Sequence, residues 1–170
     1  QAGTIVNAAN SQMLGCFHPC HGCIDNAIHS GAGIQLREAC NEYMNQRKSQ
    51  YGKDYEEPTG QAVLTEAYNL PAEYVIHTVG PIVYGRLTEE LKNDLRSCYE
   101  NVLKCCAEHG IRSVAFCCIS TGEFRFPNEE AAIIAVSEVR KFLEEHETDF
   151  DRIIFNVFKD VDRELYKQLV

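Results

Sequence analysis

The sequence predicts an α/β fold: a three-layer α/β/α sandwich around a mixed, mainly parallel central sheet. Strand-like runs alternate with helix-like runs along the chain, as they do when helices connect parallel strands. Several of the strand-like runs are apolar throughout, which is typical of strands buried on both faces. The chain has 170 residues, of which 45% are hydrophobic, enough to form one domain with a full core. We therefore expect residues 1–170 to form a single domain.

The first half of the chain begins with a short β-branched run, Thr4 to Val6, which is predicted as a strand. Residues 25–43 carry apolar side chains at near-helical spacing and are predicted as a helix. The polar stretch 45–59, rich in Gln, Lys, Tyr and Glu, is predicted as a surface loop. Residues 61–66 and 74–79 are predicted as strands, the second from a nearly continuous apolar run.

The second half repeats the alternation. Residues 89–109 have an apolar stripe at helical spacing and stop before a glycine, which predicts a helix. Residues 113–119 are predicted as a strand buried on both faces because they are nearly all apolar. A helix over 128–147, a final buried strand over 152–158 and a closing helix over 160–169 complete the prediction.

Charge and hydropathy exclude several partners. The formal net charge is −9, which disfavours a polyanion-binding surface, so we expect no nucleic-acid partner. No apolar stretch reaches eighteen residues, so we expect no membrane span. A small anionic ligand remains compatible with this charge, because backbone amides can hold it without any basic side chain.

The nine cysteines indicate a reducing compartment. Their number is odd and two pairs are adjacent in sequence, whereas a disulfide framework in a short secreted chain favours an even number. We therefore expect most of them to be small buried hydrophobic residues and the protein to be cytoplasmic.

A loop of cysteines and histidines follows the first strand, with the pattern Cys16-x4-His21-x-Cys23. Thiolate and imidazole together suit zinc, a borderline-soft ion. His18 and Cys20 lie in the same loop and offer a fourth ligand. Three ligands with an open position would indicate a catalytic site and four would indicate a structural one; reactive cysteines without a metal are the remaining interpretation.

Polar residues on either side of this loop have two interpretations each. Asn7 and Asn10 can hydrogen-bond sugar hydroxyls at the end of a strand, or they can simply form the turn that closes it. Asp25 can cap the next helix, or act as a general base beside a metal. His29, one turn further on, is more typical of a core histidine than of a ligand.

Residues 119–127 form a second candidate site between a buried strand and a helix. The small residues there expose backbone N–H groups that can hold a phosphate, although an ordinary turn has the same composition. Phe124 is placed to pack on a sugar or a ring. Phe158, after the last strand, either stacks on a base or covers the core.

Together these segments resemble the macrodomain family, whose members bind ADP-ribose. The matching segments, in the family's order, are residues 7–10, 24–29, 32–33, 74–81, 119–122, 126–127 and 157–158. The chain is most similar to the MacroD-type branch. Its insertion, residues 16–23, resembles the zinc-containing macrodomains of bacteria and fungi, which some microbes encode beside a sirtuin-type ADP-ribosyltransferase. The resemblance implies a macrodomain-like sandwich.

The resemblance also implies residue roles. Cys16, His21 and Cys23 would bind Zn2+. Asn10 would contact the distal ribose, and Asp25 would activate water, so these two would be catalytic. The diphosphate would be held, largely by backbone, by Ser120, Thr121, Gly122 and Glu123. The rest of the ligand-binding set would be Cys23, Ile24, Asn26, Phe124 against the distal ribose, and Phe158 on the adenine side.

Two departures from the family pattern stand out. Arg125 replaces a usual glycine, which affects the expected shape of the diphosphate loop. The family's adenine-recognising Asp would lie upstream of Asn7. Because Gln1 is also not a natural initiator, we expect the N-terminal part of the full protein to be missing from this sequence.

The implied function is a zinc-dependent hydrolase that removes mono-ADP-ribose from modified protein side chains and releases ADP-ribose. The metal would act as a Lewis acid or lower the pKa of a water that Asp25 orients or deprotonates. The implied partners are ADP-ribose, mono-ADP-ribosylated protein and a sirtuin-type ADP-ribosyltransferase system. The alternatives are a reader module without turnover, a protein with structural zinc, and an O-acetyl-ADP-ribose deacylase.

Overall fold

The computed structural model describes residues 2–170, and it alternates strands with helices as the sequence predicts. In chain order the elements are β1 (Thr4–Ala9), α1 (Ile24–Ala32), α2 (Ile34–Tyr51), β2 (Ala62–Glu66), β3 (Tyr74–Val79), α3 (Glu89–Glu108), β4 (Ser113–Phe116), α4 (Asn128–His146), β5 (Arg152–Phe155) and α5 (Asp160–Leu169). A short 3-10 turn, Glu147–Asp149, follows α4. None of the helices within residues 2–170 is long and apolar enough to cross a lipid bilayer.

The sheet is mixed and mainly parallel, as predicted. Its strand order is β2-β3-β1-β4-β5, and only the β2–β3 pair is antiparallel. The carboxyl ends of β1, β3, β4 and β5 therefore meet at the same edge of the sheet. Ligands of open α/β sheets bind at that edge, so the loops that leave these strands are the natural place for a site.

Two hydrophobic cores cover the two faces of the sheet. Alternate residues of β3 point to opposite faces: Val75 packs with α1 and α2, whereas Ile76 packs with α3, α4 and α5. Helices thus lie on both faces, and the three-layer α/β/α sandwich is confirmed.

Two predictions about the region between β1 and β2 are wrong. The helix predicted over residues 25–43 is two helices, because Gly33 at φ +89° breaks it and caps α1 through its N–H. The stretch 45–59 is not a surface loop throughout, because α2 continues to Tyr51. Glu57 is buried, since its carboxylate accepts hydrogen bonds from the hydroxyls of Tyr43 and Tyr55, each over 3.0 Å.

The last two strands are shorter than predicted. β4 ends at Phe116 rather than at residue 119, because its ladder with β1 covers only two residue pairs before the chain turns away. β5 ends at Phe155 rather than at residue 158, and it is not fully buried: Arg152 is exposed and the rest of the strand is half-buried. Among the described strands β5 pairs only with β4, which leaves it at the edge of the sheet.

The expectation that most cysteines are buried is also wrong. All nine thiols are free, but only Cys40, Cys98 and Cys106 are buried; Cys20 is exposed and the other five are half-buried. The reason is position. Cys16, Cys20 and Cys23 lie in the loop before α1, and Cys117 and Cys118 follow Phe116, where β4 ends.

Candidate active site

The loop between β1 and α1 brings Cys16, His21 and Cys23 together. Their ligand atoms all lie within 4.8 Å of one another, and Cys16 Sγ is 3.3 Å from His21 Nδ1. Cys23 is the N-cap of α1, where its sulfur accepts the backbone N–H of Asn26 over 3.4 Å. Asn26 in turn donates from its side chain to the His21 carbonyl over 2.9 Å, which fixes the backbone of the loop against the helix.

The electrostatics of this cluster shift the pKa values of its two thiols in opposite directions. Burial raises the pKa of Cys16, but hydrogen bonds from the His18 backbone and from the His21 and Cys23 side chains outweigh it and lower this pKa overall. Burial is also the main cause that raises the pKa of Cys23, and the neighbouring Cys16 adds to the effect. Metal coordination requires deprotonated sulfur, so the lowered pKa of Cys16 favours it.

The donor set of this cluster fits zinc. Two thiols and one imidazole are ligand types that zinc prefers. The sulfur–nitrogen distance of 3.3 Å is near the roughly 3.6 Å that such a pair spans around tetrahedral zinc. Within residues 2–170, the cluster contains three possible ligands, and neither His18 nor Cys20 belongs to it.

A contact between His21 and Glu123 joins the cysteine-histidine loop to the loop after β4. His21 Nε2 lies 3.1 Å from Glu123 Oε1, and this hydrogen bond is the largest cause that raises the pKa of His21. The sequence predicted Glu123 as a diphosphate residue acting through its backbone. Its side chain points instead at the imidazole, a contact between distant segments that no local pattern could predict.

Asp25 is buried under the start of α1. Its Oδ1 accepts a hydrogen bond from Asn7 Nδ2 over 2.8 Å and lies 3.5 Å from His29 Nε2. Burial is the main cause that raises the pKa of Asp25, and the Asn7 hydrogen bond only partly opposes it. Because Cys23 is the N-cap of α1, Asp25 does not have the capping role that was one of its two interpretations. No hydrogen bond within residues 2–170 uses its other oxygen, Oδ2.

A chain of buried polar side chains lies behind Asp25. Asn7 also donates to His77 Nδ1 over 3.1 Å, and His77 Nε2 lies 3.0 Å from the hydroxyl of Thr65. These contacts are all satisfied when His77 is neutral with its proton on Nε2. Complete burial lowers the pKa of His77 to about 3. His29 is buried, as predicted for a core histidine.

The loop after β4 presents backbone N–H groups. Ser120 at φ +65° and Arg125 at φ +59° adopt the left-handed conformation, and Arg125 N–H closes a turn onto the Gly122 carbonyl over 3.0 Å. The N–H groups of Gly122, Glu123 and Phe124 donate to no described residue. Successive free amides in such a loop are donors that suit an anion, and their binding of a diphosphate stays a prediction. We call residues 120–125 the anion loop.

The segment after β3 supports the anion loop from one side. The N–H of Val83 donates to the carbonyl of Phe124 over 2.8 Å. Gly80 lies against the buried Ser120 so closely that a Cβ at this position would clash with its Oγ and would be 2.8 Å from Ile119 Cγ2. The absence of a side chain at Gly80 is therefore what allows the two segments to approach each other.

The remaining predicted residues are spread around this edge. The Asn10 side chain donates to the Gly15 carbonyl over 3.2 Å and accepts the Gln12 N–H over 3.0 Å, which is the turn-forming interpretation. Its contact with a ribose stays a prediction. Ile24 and Phe158 are exposed, and Thr121 and Phe124 are half-buried. At 97% exposure Phe158 does not cover the core, which leaves its face free for stacking.

Sequence reasoning missed the importance of three residues. The two interpretations of Asn7, a sugar contact or a turn, both placed it at the end of a strand, but β1 continues to Ala9, so Asn7 lies inside the strand and is buried. A polar residue between apolar neighbours in a buried strand is the signal that could have found it. His77, in the apolar run of β3, carries the same signal, whereas nothing local singles out Gly80.

Residues 6–135 match the Macro domain family. A protein-ADP-ribose hydrolase of Treponema medium is 49% identical over 166 residues, which cover 98% of this chain and 61% of that protein. This chain spans about three fifths of the length of that protein and of the related protein-ADP-ribose hydrolase of Staphylococcus aureus.

Solved structures show the same fold. The Trypanosoma brucei macrodomain in complex with ADP-ribose is 39% identical, with a TM-score of 0.79, and the match covers 99% of this chain and 63% of that chain. The Oceanobacillus iheyensis macrodomain with ADP is 35% identical, with a TM-score of 0.86, and the match covers 98% of this chain and 82% of that chain.

Proposed function

This chain belongs to the Macro domain family, and from that membership we propose that it is a zinc-dependent hydrolase that removes mono-ADP-ribose from modified protein side chains. The products are free ADP-ribose and the unmodified protein. One observation carries the proposal: the His21–Glu123 contact joins the cluster of three possible metal ligands to the anion loop. Asp25 lies two residues beyond Cys23, the last residue of that cluster.

Relatives support the substrate class. The Treponema medium relative is named a protein-ADP-ribose hydrolase, and the Trypanosoma brucei macrodomain is solved with ADP-ribose. In this chain the free N–H groups of the anion loop would bind the diphosphate, and the exposed ring of Phe158 would stack on the adenine. These contacts would fix the distal ribose beside the metal cluster, and such positioning lowers a barrier by several kcal/mol.

Asp25 would act as the general base that accepts a proton from the attacking water. Asn7 donates a hydrogen bond to Oδ1 of its carboxylate, and Oδ2 is free to accept one from water. Burial raises the pKa of Asp25, which makes its carboxylate a stronger base than an exposed one. Zinc bound by Cys16, His21 and Cys23 would supply Lewis acidity to the ribose or to the scissile bond.

A reader module without turnover is the second candidate, and one observation favours it. Asp25 is only 5% exposed and already has two polar partners, which is also the arrangement of a carboxylate with a purely structural role. A reader needs the anion loop but neither Asp25 nor the metal cluster. The same site could also serve an O-acetyl-ADP-ribose deacylase. The cytoplasmic location and the sirtuin-type ADP-ribosyltransferase partner stay predictions.

The test is hydrolysis of mono-ADP-ribosylated protein by the full-length protein, before and after zinc chelation, with metal content assayed in parallel. We expect release of ADP-ribose that falls when zinc is removed and returns when it is restored. Tight ADP-ribose binding with no release, across ester and glycosidic linkages, would establish the reader instead. Release that chelation leaves unchanged would remove zinc from the mechanism.

A further inference from the structure

We propose that Glu123 is a positioning residue of the metal site: its carboxylate holds the His21 ring in the orientation that presents Nδ1 to the ion. This inference rests on the zinc site of the proposed function. It assigns the Glu123 side chain a role distinct from that of its backbone N–H, which belongs to the anion loop.

The two nitrogens of His21 have different partners. Nδ1 faces Cys16 Sγ over 3.3 Å, inside the cluster, and Nε2 faces Glu123 Oε1 over 3.1 Å, outside it. An imidazole that gives the Nδ1 lone pair to a metal carries its proton on Nε2. That proton then donates to Glu123, and this is the pairing that fixes the tautomer of metal-bound histidines in proteins.

Other contacts of His21 leave its ring angle undetermined. Asn26 holds only the backbone carbonyl of His21, and His18 contacts the ring edge-on with centroids 5.8 Å apart. The Glu123 carboxylate is therefore the group that selects the ring orientation from the outer side. Its side chain is 73% exposed, so the contact contributes little to folding and its removal should leave the fold intact.

One residue thereby links the two halves of the site. The Glu123 N–H is one of the free donors of the anion loop, and its carboxylate reaches the metal cluster. A diphosphate that orders the loop would also order this carboxylate. The geometry thus favours zinc and diphosphate binding in the same loop conformation, which is the condition for each to raise the affinity of the other.

The experiment measures zinc affinity of the purified protein by competition with a chromophoric chelator, without ADP-ribose. The variants are Glu123→Ala, Glu123→Gln and the control Glu130→Ala. Glu130 is an exposed glutamate in the first turn of α4 that forms no ion pair within residues 2–170. We expect Glu123→Ala to weaken zinc binding by about 10- to 100-fold, as loss of such partners does, and Glu130→Ala to leave it unchanged.

Two further readouts separate positioning from a general effect. Glu123→Gln should restore part of the zinc affinity, because its amide oxygen still accepts from Nε2. The visible spectrum of the cobalt-substituted protein should change in Glu123→Ala and stay the same in Glu130→Ala, since it reports ligand geometry.

The proposal alone is overturned if Glu123→Ala keeps the zinc affinity and cobalt spectrum of a parent that binds zinc, because neither readout depends on turnover. A parent that binds no zinc would overturn both the proposal and the zinc dependence of the proposed function. A parent that binds zinc through this contact but releases no ADP-ribose would keep the role of Glu123 and refute the hydrolase.

Discussion

The side-chain amide of Asn7 donates a 2.8 Å hydrogen bond to the carboxylate of Asp25, and so joins the middle of β1 to the first turn of α1. The same amide reaches His77 on the neighbouring strand β3. Asp25 is thereby fixed relative to the sheet rather than to its own loop. This attachment to two rigid elements holds the carboxylate in one position.

The first prediction concerns Asp25→Asn. Activity should fall by at least about 100-fold, the usual contribution of a general base, while ADP-ribose binding persists. Because the folded pKa of Asp25 is raised, the folded state binds its proton more tightly than the unfolded chain. Its charge at pH 7 therefore lowers stability, and the neutral Asn should raise the free energy of unfolding by about 0.5–2 kcal/mol.

Urea unfolding at pH 7 and near pH 3 checks the stability half of this prediction. The higher free energy of unfolding of Asp25→Asn should disappear near pH 3, because Asp25 of the parent is itself protonated there. Asp54→Asn, an exposed aspartate on the loop after α2, is the control and should change neither quantity. Undiminished turnover by Asp25→Asn would remove this residue from the mechanism.

The fold was largely predictable because periodicity is a local signal. The apolar run of β3 predicts a strand, and the apolar stripe of α3 predicts a helix. Helices between buried strands in turn indicate a parallel sheet. The failures were also local in origin. The pattern over residues 25–43 is helical on both sides of Gly33, and only the positive φ at that glycine separates the helices.

The site was predictable only in part, because its members come from distant segments. Cys16, His21 and Cys23 lie close together in sequence, so their spacing revealed the cluster. The contact of Asn7 with Asp25 depends on how α1 packs against β1, and that of His21 with Glu123 depends on β4 lying beside β1 in the sheet. No pattern within one segment encodes either arrangement, so residue type alone could not assign these pairs.

The second prediction separates two roles of Cys23. Its sulfur caps α1 and also belongs to the metal cluster. Cys23→Ser should keep the cap, since Ser is a good N-cap, but should lose most zinc binding. Cys23→Ala should lose both and lower the free energy of unfolding of the zinc-free protein by about 0.5–2 kcal/mol. Zinc content and urea unfolding of the metal-free protein measure the two effects.

Cys20→Ser is the control for both Cys23 variants. Cys20 lies in the same loop but is exposed and outside the cluster, so zinc content should match that of the parent. Zinc lost from Cys20→Ser would instead make Cys20 a fourth ligand and the site a structural one.

The third prediction tests the support of the anion loop. Gly80→Ala would place a Cβ against Ser120 and Ile119, both of which are buried. The overpacking should lower the free energy of unfolding by about 1–3 kcal/mol and shift the loop. We therefore expect ADP-ribose affinity, measured by calorimetry, to fall by about tenfold, since roughly 1.4 kcal/mol corresponds to a factor of ten.

Gly85→Ala provides the matched control on the same segment, because a Cβ there meets no atom within 4 Å. It should bind ADP-ribose as the parent does. If Gly80→Ala and Gly85→Ala bind equally well, the anion loop does not depend on the close approach of Gly80.

The last prediction concerns acid stability and His77. Complete burial lowers its pKa to about 3, so the unfolded chain takes up this proton first as pH falls below about 6.5. The contribution of neutral His77 to the free energy of unfolding is therefore fully present above pH 6.5 and is lost as pH falls towards 3. His77→Gln should reduce the slope of the free energy of unfolding between pH 6 and pH 4 by about 1.4 kcal/mol per pH unit.

Urea unfolding at several pH values measures this slope, and His109→Gln, at an exposed histidine after α3, should leave it unchanged. Equal slopes for His77→Gln and the parent would mean that His77 titrates normally and that the Asn7–His77–Thr65 contacts do not hold it neutral.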